Sequence, residues 1–325
     1  MNCMRVMRLA LLLAALGLAG CAGLVGPSGG PGVPGGLGAA GPSDPSGASQ
    51  AQVLAVAPTP TRTQATLTLE AVEYHAEWVL PTGPALGLVT LQHGFSRSCR
   101  HLRGTASALA KAGLMVLCLD ASMTGGNAVL ARRLAQALVE GEIAPPGRAM
   151  PERVVVSGHS AGAHFAVVLG AELARRAPQR VAGAVLLDPV AGRGFEEALQ
   201  ALSQTGLRPV LSVAAREHPC NARHNAHPAL RRLREATVAA GREGLAGVVQ
   251  GEGSTHMDAE GEDSDLLAWA ACGRQWPDPA HVETLRALLV HWVGELAVAR
   301  RPAEAGPTAG GLPEALQGGR LRLLR

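Results

Sequence analysis

Apolar and polar positions alternate along ATLTLEAVEYHAEWVLP (65–81), the period of a strand with one wet face. The next runs do not alternate. LGLVTLQHG (86–94), LMVLCLD (114–120), RVVVSG (153–158), VAGAVLLDP (181–189) and RPVLSVAA (208–215) are short and almost wholly apolar, as is LAGVVQGEG (245–253) at its centre. Runs of that length, bounded by Gly, Pro or Asp, predict strands buried on both faces. Between them, apolar residues recur at helical spacing in LRGTASALAKAGL (102–114), NAVLARRLAQALVEGE (127–142), AGAHFAVVLGAELARRA (161–177) and about 226–241. A last amphipathic helix is predicted over HVETLRALLVHWVGELAVAR (281–300). Alternating strands and helices predict an α/β fold: a mostly parallel central sheet with helices on both faces. The first strands precede any helix and are expected to form an antiparallel hairpin at one edge.

The pattern fails at both ends. Residues 21–63 are dominated by Gly, Pro, Ser and Ala with no apolar period, which predicts a flexible linker ahead of a domain at 64–300. Residues 301–325 are again rich in Gly, Pro and Ala and are expected to lack order, although GRLRLLR is basic. Residues 1–20 differ from both, with Arg5 and Arg8 ahead of the short apolar run LALLLAALGLAG. This is the layout of an export signal and is too short for a comfortable membrane span. It ends in Leu18-Ala19-Gly20-Cys21, which resembles the lipobox of bacterial lipoproteins. That resemblance implies cleavage before Cys21, lipidation of its thiol and a membrane as partner. Ala22, rather than Asp, follows the cysteine, which implies the outer membrane of the cell envelope.

Charge and cysteine content refine this picture. A formal charge of +3 over 325 residues provides no basic stripe, so nucleic acid is not an expected partner. Aromatics are only 2% of the chain, so the core must be built from Ala, Val and Leu. Beyond Cys3 and Cys21 there are four cysteines, Cys99, Cys118, Cys220 and Cys272, an even number that suits an oxidising compartment. Cys220 and Cys272 both lie in late loop-like segments and are expected to pair. Cys118 lies inside an apolar strand, so the pairing of Cys99 with Cys118 stays open against a buried free thiol there.

Two stretches match G-x-S-x-G. Gly26-Pro27-Ser28-Gly29-Gly30 lies in the linker with no strand before it and no helix after it, and Ser28 is a chance match. Gly158-His159-Ser160-Ala161-Gly162 sits between a predicted strand and a predicted helix, the context of a nucleophile elbow. A helix starting behind Ser160 would aim backbone N–H groups and its positive dipole end at an oxyanion. Gln92-His93-Gly94-Phe95 ends another strand where a second donor is needed, so the expected oxyanion hole is the N–H of Phe95 with that of Ala161. His93 is read as orienting that loop. The expected base is His256, in the polar loop GEGSTHMDAEG just after a strand. His281 and His291 fall in the final helix. Two acids can fix the base, Asp188 after the strand VAGAVLL and Glu217 after RPVLSVAA, and residue chemistry alone leaves both open.

The domain resembles the α/β-hydrolase superfamily, and within it the chlorophyllase and bacterial polyester-hydrolase (dienelactone-hydrolase-like) branch. Gly158-His159-Ser160-Ala161-Gly162 is similar to the chlorophyllase G-H-S-R-G, Asp188-Pro189-Val190-Ala191-Gly192 to its D-P-V-A-G, and His256-Met257-Asp258 to its G-H-M-D. The resemblance spans roughly 65–300 and implies Ser160, His256 and Asp188 as a triad, with Glu217 in reserve. Ala161 stands where that family has arginine, so no substrate is carried over. HPCNARHNAH (218–227) contains His218, Cys220, His224 and His227, but its spacing fits no common zinc site and no metal or cofactor is expected. AGRGFEEALQALSQTGL (191–207) is too short for a large lid, so an open site for short or extended acyl groups, from small or polymeric esters, is expected. The reading is therefore a lipid-anchored serine esterase. Its rivals are a catalytically silent binding lipoprotein of the same fold and an acyltransferase or peptidase with the same triad.

Overall fold

A computed structural model of the chain describes residues 59–299, 316 and 318–324. The export signal, Cys21 and nearly all of the linker lie outside the described residues. One nine-stranded sheet organises the described part, in the order β1-β2-β4-β3-β5-β6-β7-β8-β9. Its strands are β1 (Thr61–Leu69), β2 (Val72–Leu80), β3 (Leu88–Gln92), β4 (Met115–Asp120), β5 (Val154–His159), β6 (Val181–Leu187), β7 (Val210–Ala214), β8 (Val248–Gln250) and β9 (Leu321–Leu323). Strands β3 to β8 run parallel, while β1, β2 and β9 are antiparallel to their neighbours. This is the mostly parallel α/β architecture expected, with an antiparallel hairpin at one edge.

The uninterrupted apolar strands are explained by two cores, one on each face. In β4, Met115, Leu117 and Leu119 join one cluster, while Val116 joins the other. In β5, Val154 and Val156 face one way and Val155 the other. The first face is covered by α2 (Ala128–Glu140), α3 (Ala161–Arg176), α4 (Phe195–Ser203) and α5 (His227–Ala239), and it holds Trp78, Phe165 and Phe195. The second is covered by α1 (Arg103–Lys111) and α7 (Pro279–Val298), around Trp292. A short helix, α6 (Leu266–Ala271), precedes α7. No helix among the described residues is long and apolar enough to cross a membrane.

The structure departs from the sequence expectations in three places. The stretch 65–81 is two strands, because Glu70 and Ala71 turn the chain with φ of 47° and 65°. Hairpins usually recruit Asn-Gly at such positions, so this turn carries no sequence signal. The first strand starts at Thr61, ahead of the boundary expected at 64, and its leading residues matter. Arg62 Nη1 meets the buried carboxylate of Glu77 at 2.6 Å, and Arg103 reaches its other oxygen at 2.8 Å. Finally, the expected order-free tail ends in β9, where Leu321–Leu323 pair with Val248–Gln250 and bury Leu321.

Candidate active site

The elbow at Ser160 is formed by a strand that runs straight into a helix. Ser160 follows β5 directly, with φ 57° and ψ −123°, and α3 begins at Ala161. A non-glycine residue holds that backbone only where its surroundings over-determine it. Here the Ser160 N–H donates to Leu187 O at 3.0 Å, and its carbonyl accepts from Ala163 at 3.0 Å and Val190 at 3.1 Å. The flanking glycines are required sterically. A Cβ on Gly158 would lie 2.2 Å from Gly162 O, and one on Gly162 would lie 2.3 Å from Gln92 O and 2.4 Å from His93 O.

The loop after β3 lies against this elbow. Gln92 pairs with Gly158 in the parallel register, and its side chain donates to Leu119 O at 2.7 Å, tying β3 to β4. A Cβ on Gly94 would be 3.0 Å from Ser160 Cβ, so the backbone leading to Phe95 passes beside the serine. Ala161 is the first residue of α3, and its N–H has no intrahelical acceptor. The buried His93 ring hydrogen-bonds Gly94 O at 2.9 Å through Nδ1, and burial pushes its pKa down. It braces the loop as a neutral group. Cys99, further along, is disulfide-bonded to Cys118 in β4, which closes the pairing left open by the sequence.

Of the two candidate acids, only one meets the histidine. His256 Nδ1 donates to Asp188 Oδ2 at 2.7 Å, with both side chains nearly buried. Asp188 follows β6 at a φ of 40°, and its N–H is held by Val213 O at 2.8 Å. Glu217 is exposed and lies 3.7 Å from Arg223, so it has no part in this pair. His256 begins a one-turn 3-10 helix after β8. Behind it, Asp258 accepts from the Thr255 N–H at 3.0 Å and Oγ1 at 2.8 Å. Burial raises the Asp258 carboxyl to about 6. The histidine turn sits against the elbow, since the His159 and His256 rings are 4.5 Å apart and His159 Nε2 donates to His256 O at 2.7 Å. Burial, and then the neighbouring His256, push the His159 pKa well down and keep its ring neutral.

Sequence reasoning missed three groups around this pair. Arg97 grips Glu260 through Nε at 2.8 Å and Nη2 at 2.6 Å, and it reaches Asp265 at 3.0 Å. This buried fork joins the loop after β3 to the turn carrying His256. His159 was visible only as the variable position of G-x-S-x-G. Asn221 is wholly buried, and its Nδ2 lies 3.2 and 3.1 Å from the two Asp188 oxygens. It sits inside the stretch 218–227, where three of the four metal-donor residues have other partners and His227 stacks on His224. Cys220 is bonded to Cys272, as expected, His218 Nδ1 accepts from the Cys220 N–H, and His224 bonds Ala215 O. Among the described residues one group, His93, Cys99 and Asp120, is close enough to share an ion, but the Cys99 sulfur is in a disulfide.

No family model and no curated protein matches the chain. Among solved structures it is similar to a dienelactone hydrolase from Anabaena variabilis, at 19% identity and a TM-score of 0.49, over 72% of this chain and 97% of that one. It is also similar to an esterase from Pyrobaculum calidifontis, at 18% identity and 0.41, over 55% of this chain and 73% of that one. A thermostable esterase from Pseudomonas putida aligns at 16% identity and 0.41, over 55% of this chain and 71% of that one.

Proposed function

We propose that the chain is a serine hydrolase that cleaves carboxylic esters. One observation carries this reading: a buried His256–Asp188 pair at 2.7 Å is packed against an elbow that holds Ser160 in strained backbone. In the proposed reaction His256 takes the Ser160 proton as Oγ attacks the acyl carbon. Asp188 holds the ring with Nε2 facing the reaction and stabilises the imidazolium. The Phe95 and Ala161 amides receive the oxyanion. Collapse expels the alcohol, which takes the proton from His256, and leaves an acyl-enzyme. Water, deprotonated by His256, then releases the acid and restores Ser160.

An ester suits the set, which supplies a nucleophile, a base and fixed donors from the chain's own residues. The short stretch between Asp188 and β7 leaves no room for a large lid, which supports a reading in which short or extended acyl groups of small or polymeric esters are the substrates. Lipidation at Cys21 would hold the enzyme on a membrane of the cell envelope. The test compares wild type with Ser160→Ala on p-nitrophenyl butyrate. Turnover that falls by about 10³-fold or more in a folded variant supports the reading. Equal turnover in both proteins would refute it.

A further inference from the structure

The segment 218–225 has no role in the steps above, yet it encloses the residue that orients His256. Asn221 is completely buried, and every hydrogen-bonding atom of its side chain is used. Its Oδ1 accepts from the His218 N–H at 2.9 Å, and its Nδ2 donates to Arg216 O at 2.8 Å and across both oxygens of Asp188. A flipped amide would set oxygen against carboxylate and nitrogen against N–H, so the orientation is fixed by its partners. The backbone around it is over-determined too. Ala222, Arg223 and His224 all have φ near 50–60°, and the Ala222 and Arg223 N–H groups close back onto Pro219 and His218. At the far end Asn225 exchanges two hydrogen bonds of 2.9 Å with the backbone of Ala191, in the same loop as Asp188. Cys220, next to Asn221, is tied by its disulfide to Cys272 at the end of α6.

We propose that Asn221 is a positioning residue for the Asp188–His256 pair, presented by a disulfide-anchored clamp over residues 218–225. Asp188 Oδ2 accepts from His256, so a second donor shared by both oxygens fixes the carboxylate plane and its charge. Without that donor, His256 is the one side chain among the described residues left to satisfy the buried carboxylate, which then holds the imidazolium more tightly. The base would then stay protonated to higher pH. The proposal rests on the serine-hydrolase reading.

The test follows the rate at which a fluorophosphonate labels Ser160 against pH in the full chain. In that reaction Ser160 Oγ bonds to phosphorus, fluoride leaves and His256 takes the proton. Asn221→Leu matches the volume without the donor, and Asn221→Ala serves if the larger side chain prevents folding. Asn225→Ala removes only the Ala191 contacts and is the control for a purely structural clamp. We expect the pH midpoint of labelling to rise by about half a unit or more in the Asn221 variants, and the rate below it to fall about threefold or more. Asn225→Ala should keep the wild-type midpoint. Folded Asn221 variants with the wild-type profile would overturn the proposal and leave the triad reading intact. Wild type that does not label at all would remove both.

Discussion

Ser160 holds a backbone conformation that few serines adopt, and the hydrogen bonds of Leu187, Ala163 and Val190 to its peptide keep it there. Such strain is tolerated only because glycine stands on either side. Gly162→Ala would push a methyl onto the carbonyls of Gln92 and His93, backbone atoms that cannot step aside cheaply. The expected cost is about 1–3 kcal/mol, read as a lower urea midpoint, together with slower labelling of Ser160 as the loop after β3 is displaced. A wild-type midpoint for this variant would mean that the loop is not packed on the elbow. Asp258 gives a pH-dependent prediction. Its folded-state pKa of about 6 lies above the ordinary carboxylate value, so the native state binds more protons than the unfolded one between about pH 4 and 6. Its contribution is therefore most favourable below that window and is lost as pH rises through it. Wild type should lose stability relative to Asp258→Asn between pH 4.5 and 7.5, by on the order of 2 kcal/mol in paired urea titrations. A constant difference would contradict the raised pKa.

The proposed site is drawn from the ends of β3, β5, β6 and β8, where each strand delivers one group to the same edge of the sheet. Most of these parts were legible in the sequence, since a continuous apolar run followed by Gly or Asp marks a buried strand and the residue it presents. The ties between them were not. Arg97 and Glu260 are 163 residues apart, and nothing local to either announces the fork that joins them. The choice between Asp188 and Glu217 was equally undecidable from residue chemistry, because both follow buried strands and only the fold brings one to His256. Helices α4 and α6 are short and escaped the periodicity that identified the longer ones. The fork makes its own prediction. Arg97→Met leaves Glu260 buried without its cation and should cost about 3–5 kcal/mol in urea unfolding, with Glu260→Gln in the same background recovering part of it. No loss in the single variant would show that the fork contributes little.

At the scale of the whole molecule, the two disulfides brace opposite sides of the site, Cys99–Cys118 beside the loop after β3 and Cys220–Cys272 beside the acid. Only the second was anticipated, because Cys118 lies in an apolar strand where a free thiol packs equally well. β9 was missed for a related reason: three residues in a Gly- and Pro-rich tail carry too little pattern to mark an edge strand. The proposed anchor predicts that Cys21→Ser shifts the protein from the membrane pellet to the soluble envelope fraction. Retention of the variant in the pellet would contradict lipidation at that residue.

In the proposed reaction Ser160 is a nucleophile activated by the His256–Asp188 pair. The most direct measurement is the intact mass and peptide map of the protein after a fluorophosphonate treatment at neutral pH, alongside Ser160→Ala and His256→Ala. A Ser160 nucleophile activated by His256 should give one adduct on wild type, carried on Ser160, none on Ser160→Ala and very slow labelling of His256→Ala. An adduct on a different residue, or labelling that is indifferent to His256, would contradict it.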